Sequence, residues 1–220
     1  MLVDTEVGEI DPRFASGSYD IKISRLVYSG LATADTADLR VRPLLAESIE
    51  PEDGDGLEWH VVLKAGLVFH DGTPITSADV VATYRSIEDP ATGSRYRATY
   101  SYIESVEAVG PLAVRFVLRE RNASFLPDLT FPIMPASALL AGPDRPAGVV
   151  GSGPYALTGR SRGRVELEAR PACGAGAGAP RRIVFVTVRD DNARVLRFRG
   201  GGADLAQNTI PLHLLPVLEK

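Results

Sequence analysis

Apolar residues change period along the chain, and each change marks an element. Leu57, Trp59, Val61 and Leu63 alternate with polar neighbours, the period of a half-buried strand. Ile103–Val109 and Leu112–Leu118 repeat that pattern around Gly110-Pro111, which predicts a hairpin with Leu112, Val114, Phe116 and Leu118 on one face. Val165–Ala169, Ile183–Val188 and Ala203–Gln207 are three further strands, and Leu67–Phe69 is a short one. The period lengthens at Val80, Val81, Tyr84 and Ile87, predicting a helix from Ser77 to Glu88 that stops before Pro90. Similar spacing over Ile23, Leu26, Val27 and Leu31 predicts a helix from about Asp20, with Gly30 as its stop. Shorter helices are expected at 124–129 and 135–140, a longer one at 191–198 before Gly200–Gly202, and a last one from Pro211 to Leu218. Glu50–Gly56 reads as an acidic turn, and 142–148 and 171–180 as loops. Strands and helices thus alternate around a central hairpin, which argues for α/β or mixed α+β layers.

The densest local information lies in Val68–Tyr84, VFHDGTPITSADVVATY. Asp71-Gly72-Thr73-Pro74 is turn chemistry: Asp closes an Asx-turn, Gly takes positive φ, and Pro cannot continue a ladder. Thr76 and Asp79 have the spacing of a capping box, with Asp in place of the usual Glu or Gln.

Composition adds little to this picture, and charge adds an asymmetry. The 220 residues carry a net charge of −4, with 45% hydrophobic and 24% charged residues, an ordinary globular balance. Residues 1–110 hold 9 basic and 19 acidic side chains, against 15 and 9 in residues 111–220. The arginines of the second half alternate with apolar residues and are interleaved with Glu166, Glu168, Asp190 and Asp191. They read as a solvated face, so no nucleic-acid partner is expected. No apolar run approaches the length that crosses a bilayer, and Met1–Asp4 lacks the basic and apolar regions of a secretory signal.

Candidate chemistry is sparse. The single cysteine, Cys173, cannot form an intrachain disulfide, and no acid or His in its own loop would activate it. His70-Asp71 is a ligand-like pair, but His60 and His213 stand at no metal-binding spacing from it, so no metal site is expected. There is no nucleophile elbow and no phosphate-binding glycine loop, so the expectation is no catalytic residue, no enzyme activity and no cofactor. Tyr96, Tyr100 and Tyr102 offer either an aromatic ligand surface or packing on the hairpin.

The segment Phe69–Val81, FHDGTPITSADVV, resembles the extracytoplasmic solute-binding proteins of ABC transporters, family 5, the oligopeptide-, dipeptide- and nickel-binding type. Ile10-Asp11-Pro12, Leu26–Leu31, Leu44–Ser48, Glu58–Lys64, Val114–Leu118, Gly151–Tyr155, and Arg182–Leu196 followed by Gly202–Gln207 resemble further family segments in collinear order. The resemblance implies a type II periplasmic-binding-protein-like fold of which only part is expected in this chain. Residues 1–42 and 148–220 would be most of the first lobe, 43–147 an inserted α+β domain, and the second lobe would be absent. It implies a peptide or small-molecule ligand held in an interlobe cleft, delivery to an ABC permease in the membrane, and an extracytoplasmic location. Ser16, Gly17 and Ser18 match the segment whose backbone pairs with the ligand, and Tyr96 falls where an aromatic of the insert approaches the cleft. Half a cleft is expected to bind weakly alone. An exposed lobe face would favour self-association, and recruitment as an interaction module is the alternative. The family has Tyr-Trp where this chain has Cys173-Gly174, so that loop is expected to lack its packing anchor.

Overall fold

The computed structural model of the chain describes residues 1–34, 38, 40–52, 54–139, 148–176 and 178–218. In chain order its elements are β1 (Leu2–Val3), α1 (Ser18–Val27), β2 (Ala32–Thr33), β3 (Arg42–Pro43), β4 (Ala46–Pro51), β5 (Glu58–Leu63), α2 (Ser77–Glu88), β6 (Ile103–Gly110) and β7 (Ala113–Leu118). There follow α3 (Phe125–Asp128), α4 (Ala136–Leu139), β8 (Tyr155–Ser161), β9 (Arg164–Ala169), β10 (Arg182–Thr187) and α5 (Asp191–Arg199). The expected loop at 142–147 lies outside the described residues.

Two four-stranded sheets organise the chain, in the orders β4-β5-β7-β6 and β1-β10-β9-β8. The first is antiparallel throughout, with Trp59 opposite Phe116 and Val61 opposite Val114. Helix α2 covers its inner face, and Val61, Leu63, Val80, Tyr84, Ile87, Val114 and Phe116 share one buried cluster. The second sheet is antiparallel except that β1 runs parallel to β10, with Leu2 opposite Val186. Helix α1 packs there, and Val3, Ile23, Val27, Val165, Leu167 and Phe185 form a second buried cluster.

The hairpin, β5 and the bounds of α2 follow the hydrophobic pattern. Four expectations are corrected. Helix α1 ends at Val27, because the chain extends at Tyr28 and carries Leu31 into the other cluster. Gly30 crosses so close to Thr130 that an added Cβ would lie 2.6 Å from its carbonyl oxygen. Residues 67–69 form no strand: Phe69 N–H donates to the Thr73 carbonyl at 2.8 Å, closing a tight loop with a lone bridge from Val68 to Pro74. Residues 203–207 contribute only one bridge, Leu2 to Ala206. The last helix is a 3-10 turn, Leu212–Val217, with Pro216 inside it.

Arg194 departs from the solvated arginines around it. It is 2% exposed and donates to the carbonyls of Thr209 at 2.5 Å and Val188 at 2.6 Å, besides pairing with Asp191. It thereby fastens residue 209 to the start of α5. Cys173 stands where the family has an aromatic anchor, and its thiol lies 3.6 Å from the Val68 carbonyl, so the loop keeps a contact there.

Candidate functional site

The site is built where the lead-in loop meets the loop after α2. Asp11 opens a turn: its carbonyl accepts from Phe14 and Ala15 N–H at 3.0 and 2.9 Å. Its carboxylate grips Arg13 through Nε at 3.0 Å and a terminal nitrogen at 2.7 Å, a two-pronged geometry that fixes the side chain. The Arg13 carbonyl is then claimed by the other loop. Ser94 Oγ and Arg95 N–H both donate to it, each at 3.2 Å. Tyr96 completes the junction by donating its hydroxyl to the Ala15 carbonyl at 2.9 Å. Its ring packs edge-on against Phe131, with centroids 5.4 Å apart.

The four residues singled out from the sequence therefore come together. Ser16, Gly17 and Ser18 are exposed and follow directly on the carbonyl that Tyr96 holds. Gly17 is the N-cap of α1, and a Cβ there would lie 2.9 Å from Asp20 Oδ2. That closeness explains the glycine, since Asp20 reaches back to Gly17 N–H at 3.3 Å and to Gly8 N–H at 2.8 Å. Sequence reasoning missed Asp20; its signal is an acid at the third position of a helix that opens on Ser-Gly-Ser. The Tyr96 hydroxyl has spent its proton on Ala15, so it would face a ligand as an acceptor or through its ring.

Behind Tyr96 lies a hollow of about 220 Å³ between α1 and the 128–132 turn, lined by Ala15, Ser24, Arg25, Tyr96, Tyr100 and Asp128 among others. The Ser24 hydroxyl is buried and has no hydrogen-bond partner among the described residues. Tyr102 donates to Asp128 Oδ2 at 2.8 Å, yet burial is the larger influence and raises the Asp128 carboxyl above its ordinary range. Tyr100 and Tyr102 are buried in the first cluster, and Tyr100 also lines the hollow.

His70 and Asp71 lie elsewhere. His70 Nε2 donates to the Gly153 carbonyl at 2.8 Å, and Nδ1 accepts from Gly151 N–H at 3.2 Å. Its own N–H donates to the Gly151 carbonyl at 2.8 Å. Both ring nitrogens are thus occupied in joining the HDG turn to the turn before β8. Asp71 accepts from Thr73 N–H at 3.0 Å and Thr73 Oγ1 at 2.7 Å, and these bonds lower its carboxyl.

The family model for bacterial extracellular solute-binding proteins, family 5, middle region, matches residues 40–220. The chain belongs to family 5. Among the curated proteins, this family 5 chain is 32% identical to Protein XP55 of Streptomyces lividans, over 88% of the chain and 36% of that protein. It is 29% identical to the glutathione-binding protein GsiB of Escherichia coli K12, over 100% of the chain and 44% of that protein. Among solved structures, it superposes on NikZ of Campylobacter jejuni, in complex with Ni(L-His), with a TM-score of 0.89 and 25% identity. It superposes equally, at 0.89 and 26%, on the oligopeptide-binding protein AppA of Bacillus subtilis in complex with a nonapeptide. Both superpositions cover all of the family 5 chain, and 44% and 45% of those two chains. The mixed α/β fold is therefore that of part of a family 5 binding protein.

Proposed function

We propose that the chain serves solute binding in an ABC import system outside the cytoplasm, taking a peptide or similar small solute and passing it to a membrane permease. The observation that carries this reading is the superposition of the whole chain on two proteins solved with bound solutes, NikZ and AppA. In this reading residues 1–42 and 148–220 belong to the first lobe and 43–147 to an insert; the two buried clusters interlock across that division, since Leu31 and Ala32 pack in the first cluster and Met134 in the second. The backbone of Ser16–Ser18 lines one wall of the cleft and pairs with an extended ligand, with Tyr96 bracing that segment from the insert. Main-chain pairing tolerates many side chains, which suits peptides.

The chain spans under half of GsiB and 36% of XP55, so by itself it offers a solute one wall of a cleft. Isothermal calorimetry of the 220-residue chain with short peptides is expected to show no binding tighter than about 1 mM. The same chain within a protein of GsiB's length is expected to bind at least a hundredfold tighter, and to lose about tenfold on Gly17→Pro, which disturbs that backbone. Tight binding by the short chain would refute the one-wall account. An unchanged affinity in Gly17→Pro would refute the assignment of residues 16–18.

A second reading is self-association. It is favoured by an apolar hollow of about 710 Å³ floored by Met1, Leu26, Ile183, Val184, Phe185 and Leu205. Such a face suits a second copy of the chain. Sizing chromatography showing a monomer at about 100 µM would exclude it.

A further inference from the structure

The hollow of about 220 Å³ behind Tyr96 contains a group that the solute wall leaves unexplained. Ser24 and Arg25 follow Ile21 by three and four residues on α1, so the three share one face, and that face lines the hollow. Ser24 is 2% exposed. A helical serine ordinarily bonds back to the carbonyl one turn earlier, yet the Ser24 hydroxyl has no partner of any kind among the described residues. A buried hydroxyl left unpaired is unfavourable, and a polar guest in the hollow removes that penalty.

Charge is divided across the same hollow. Arg25 stands exposed at its mouth beside Thr99, and its guanidinium has no hydrogen bond or ion pair among the described residues. Asp128 lines the facing wall, in the 128–132 turn. One Asp128 oxygen accepts from Tyr102 at 2.8 Å, the other has no partner among the described residues, and burial raises the carboxyl above its ordinary range. Between these walls the lining is apolar and aromatic, with Ala15, Tyr100 and Phe131 all buried. A cation in the last turn of a helix also suits the helix dipole, so Arg25 alone would mean little. The deciding feature is the buried, unpaired Ser24 hydroxyl beside it.

We propose that the hollow binds a small zwitterion, an ammonium and a carboxylate joined by a short apolar stem. The carboxylate accepts from the Ser24 hydroxyl and the Arg25 guanidinium, the stem lies on Ala15 and Phe131, and the ammonium donates to the free Asp128 oxygen. A cation or an anion of the same length leaves one of the two protein charges unanswered, which is the source of selectivity. The volume is below the usual range of small-molecule sites and keeps out a peptide. Residues 16–18 do not line the hollow, so the proposal does not rest on the solute wall.

The test is an NMR titration of the isotopically labelled 220-residue chain with γ-aminobutyrate, n-butylamine and butyrate in parallel. γ-Aminobutyrate is expected to give saturable shifts at residues 21–25, 99–100 and 128–131, with a Kd of roughly 1–10 mM, at least tenfold tighter than either singly charged relative. Ser24→Ala is expected to weaken γ-aminobutyrate about tenfold. The same variant is expected to leave the urea midpoint of the free chain unchanged or higher, because the hydroxyl it removes has no partner there. Arg25→Gln changes an exposed side chain and is expected to bind γ-aminobutyrate no better than n-butylamine. The proposal is overturned by no saturable shift at about 50 mM γ-aminobutyrate, by butylamine or butyrate binding as tightly, or by shifts centred on residues 16–18. A lowered urea midpoint in Ser24→Ala, or unchanged affinity in either variant, overturns it as well.

Discussion

At the scale of single residues, His70 carries more than its place in a turn suggests. Its ring is a two-sided adaptor whose Nδ1 must be unprotonated to accept from Gly151 N–H at 3.2 Å. Burial is the largest influence on it and holds its ionisation below the ordinary 6.5, with Arg170 acting in the same direction and the Gly153 bond and Asp71 against it. The unfolded chain therefore takes up a proton first. The stability carried by the neutral ring is complete above about pH 6.5 and declines as pH falls from there through the folded value. His70→Asn is expected to cost about 1–2 kcal/mol at neutral pH and to flatten that decline, as read from urea midpoints at a series of pH values.

Gly151 illustrates a second kind of residue-scale constraint. A Cβ there would stand 1.9 Å from the Val27 carbonyl oxygen, which belongs to helix backbone and cannot swing aside. Gly151→Ala is expected to cost about 3 kcal/mol or more, whereas Gly54→Ala, with open space around it, stays within about 0.5 kcal/mol. Chemical denaturation of the two variants side by side measures the contrast. The roles of His70 and Gly151 were not legible in the sequence, because each is set by a partner some 80 to 120 residues away. Tyr96 was legible only as an aromatic among three; the Ala15 carbonyl is what separates it from the buried Tyr100 and Tyr102.

Among the elements, α2 was legible to the residue because its information is local. Thr76 N–H donates to Asp79 Oδ2 at 2.8 Å and Asp89 ends the helix ahead of Pro90, as the motif requires. Asp79 also accepts from Ala136 N–H at 2.8 Å, so one carboxylate caps α2 and positions α4. Asp79→Ala is expected to cost about 2–3 kcal/mol in unfolding experiments, above the roughly 1 kcal/mol expected at the exposed cap Asp190 of α5. Elements whose cause is distant were not legible. Strand β4 was not legible: it is irregular between Ala46 and Ser48, and its last residues, Glu50 and Pro51, read as the start of the acidic turn Glu50–Gly56. Helix α1 was overextended because Leu31 continues the helical period by coincidence while packing in the other cluster.

For the molecule as a whole, the least legible strand is fully buried although it ends its sheet's strand order. β1 contributes only Leu2 and Val3, yet both are fully buried, and β1 lies between β10 and the bridge at Ala206. Two residues carry no period, so their pairing with a strand 184 positions away leaves no sequence signal. Leu2→Asp is expected to cost at least about 4 kcal/mol, since it puts an unpaired charge inside the second sheet. The expected readout is loss of the cooperative unfolding transition of that sheet, followed by hydrogen exchange at β9 and β10.

The clasp on the Arg13 and Ala15 carbonyls has a consequence for protein engineering. Three bonds from Ser94, Arg95 and Tyr96 fix where residues 13–15 lie. The aim of the exposed 16–18 segment is thus written partly in a loop 80 residues downstream. A chimaera that exchanges residues 1–30 between relatives while keeping the native 89–102 loop would separate a key from its lock; the two stretches have to be transplanted together.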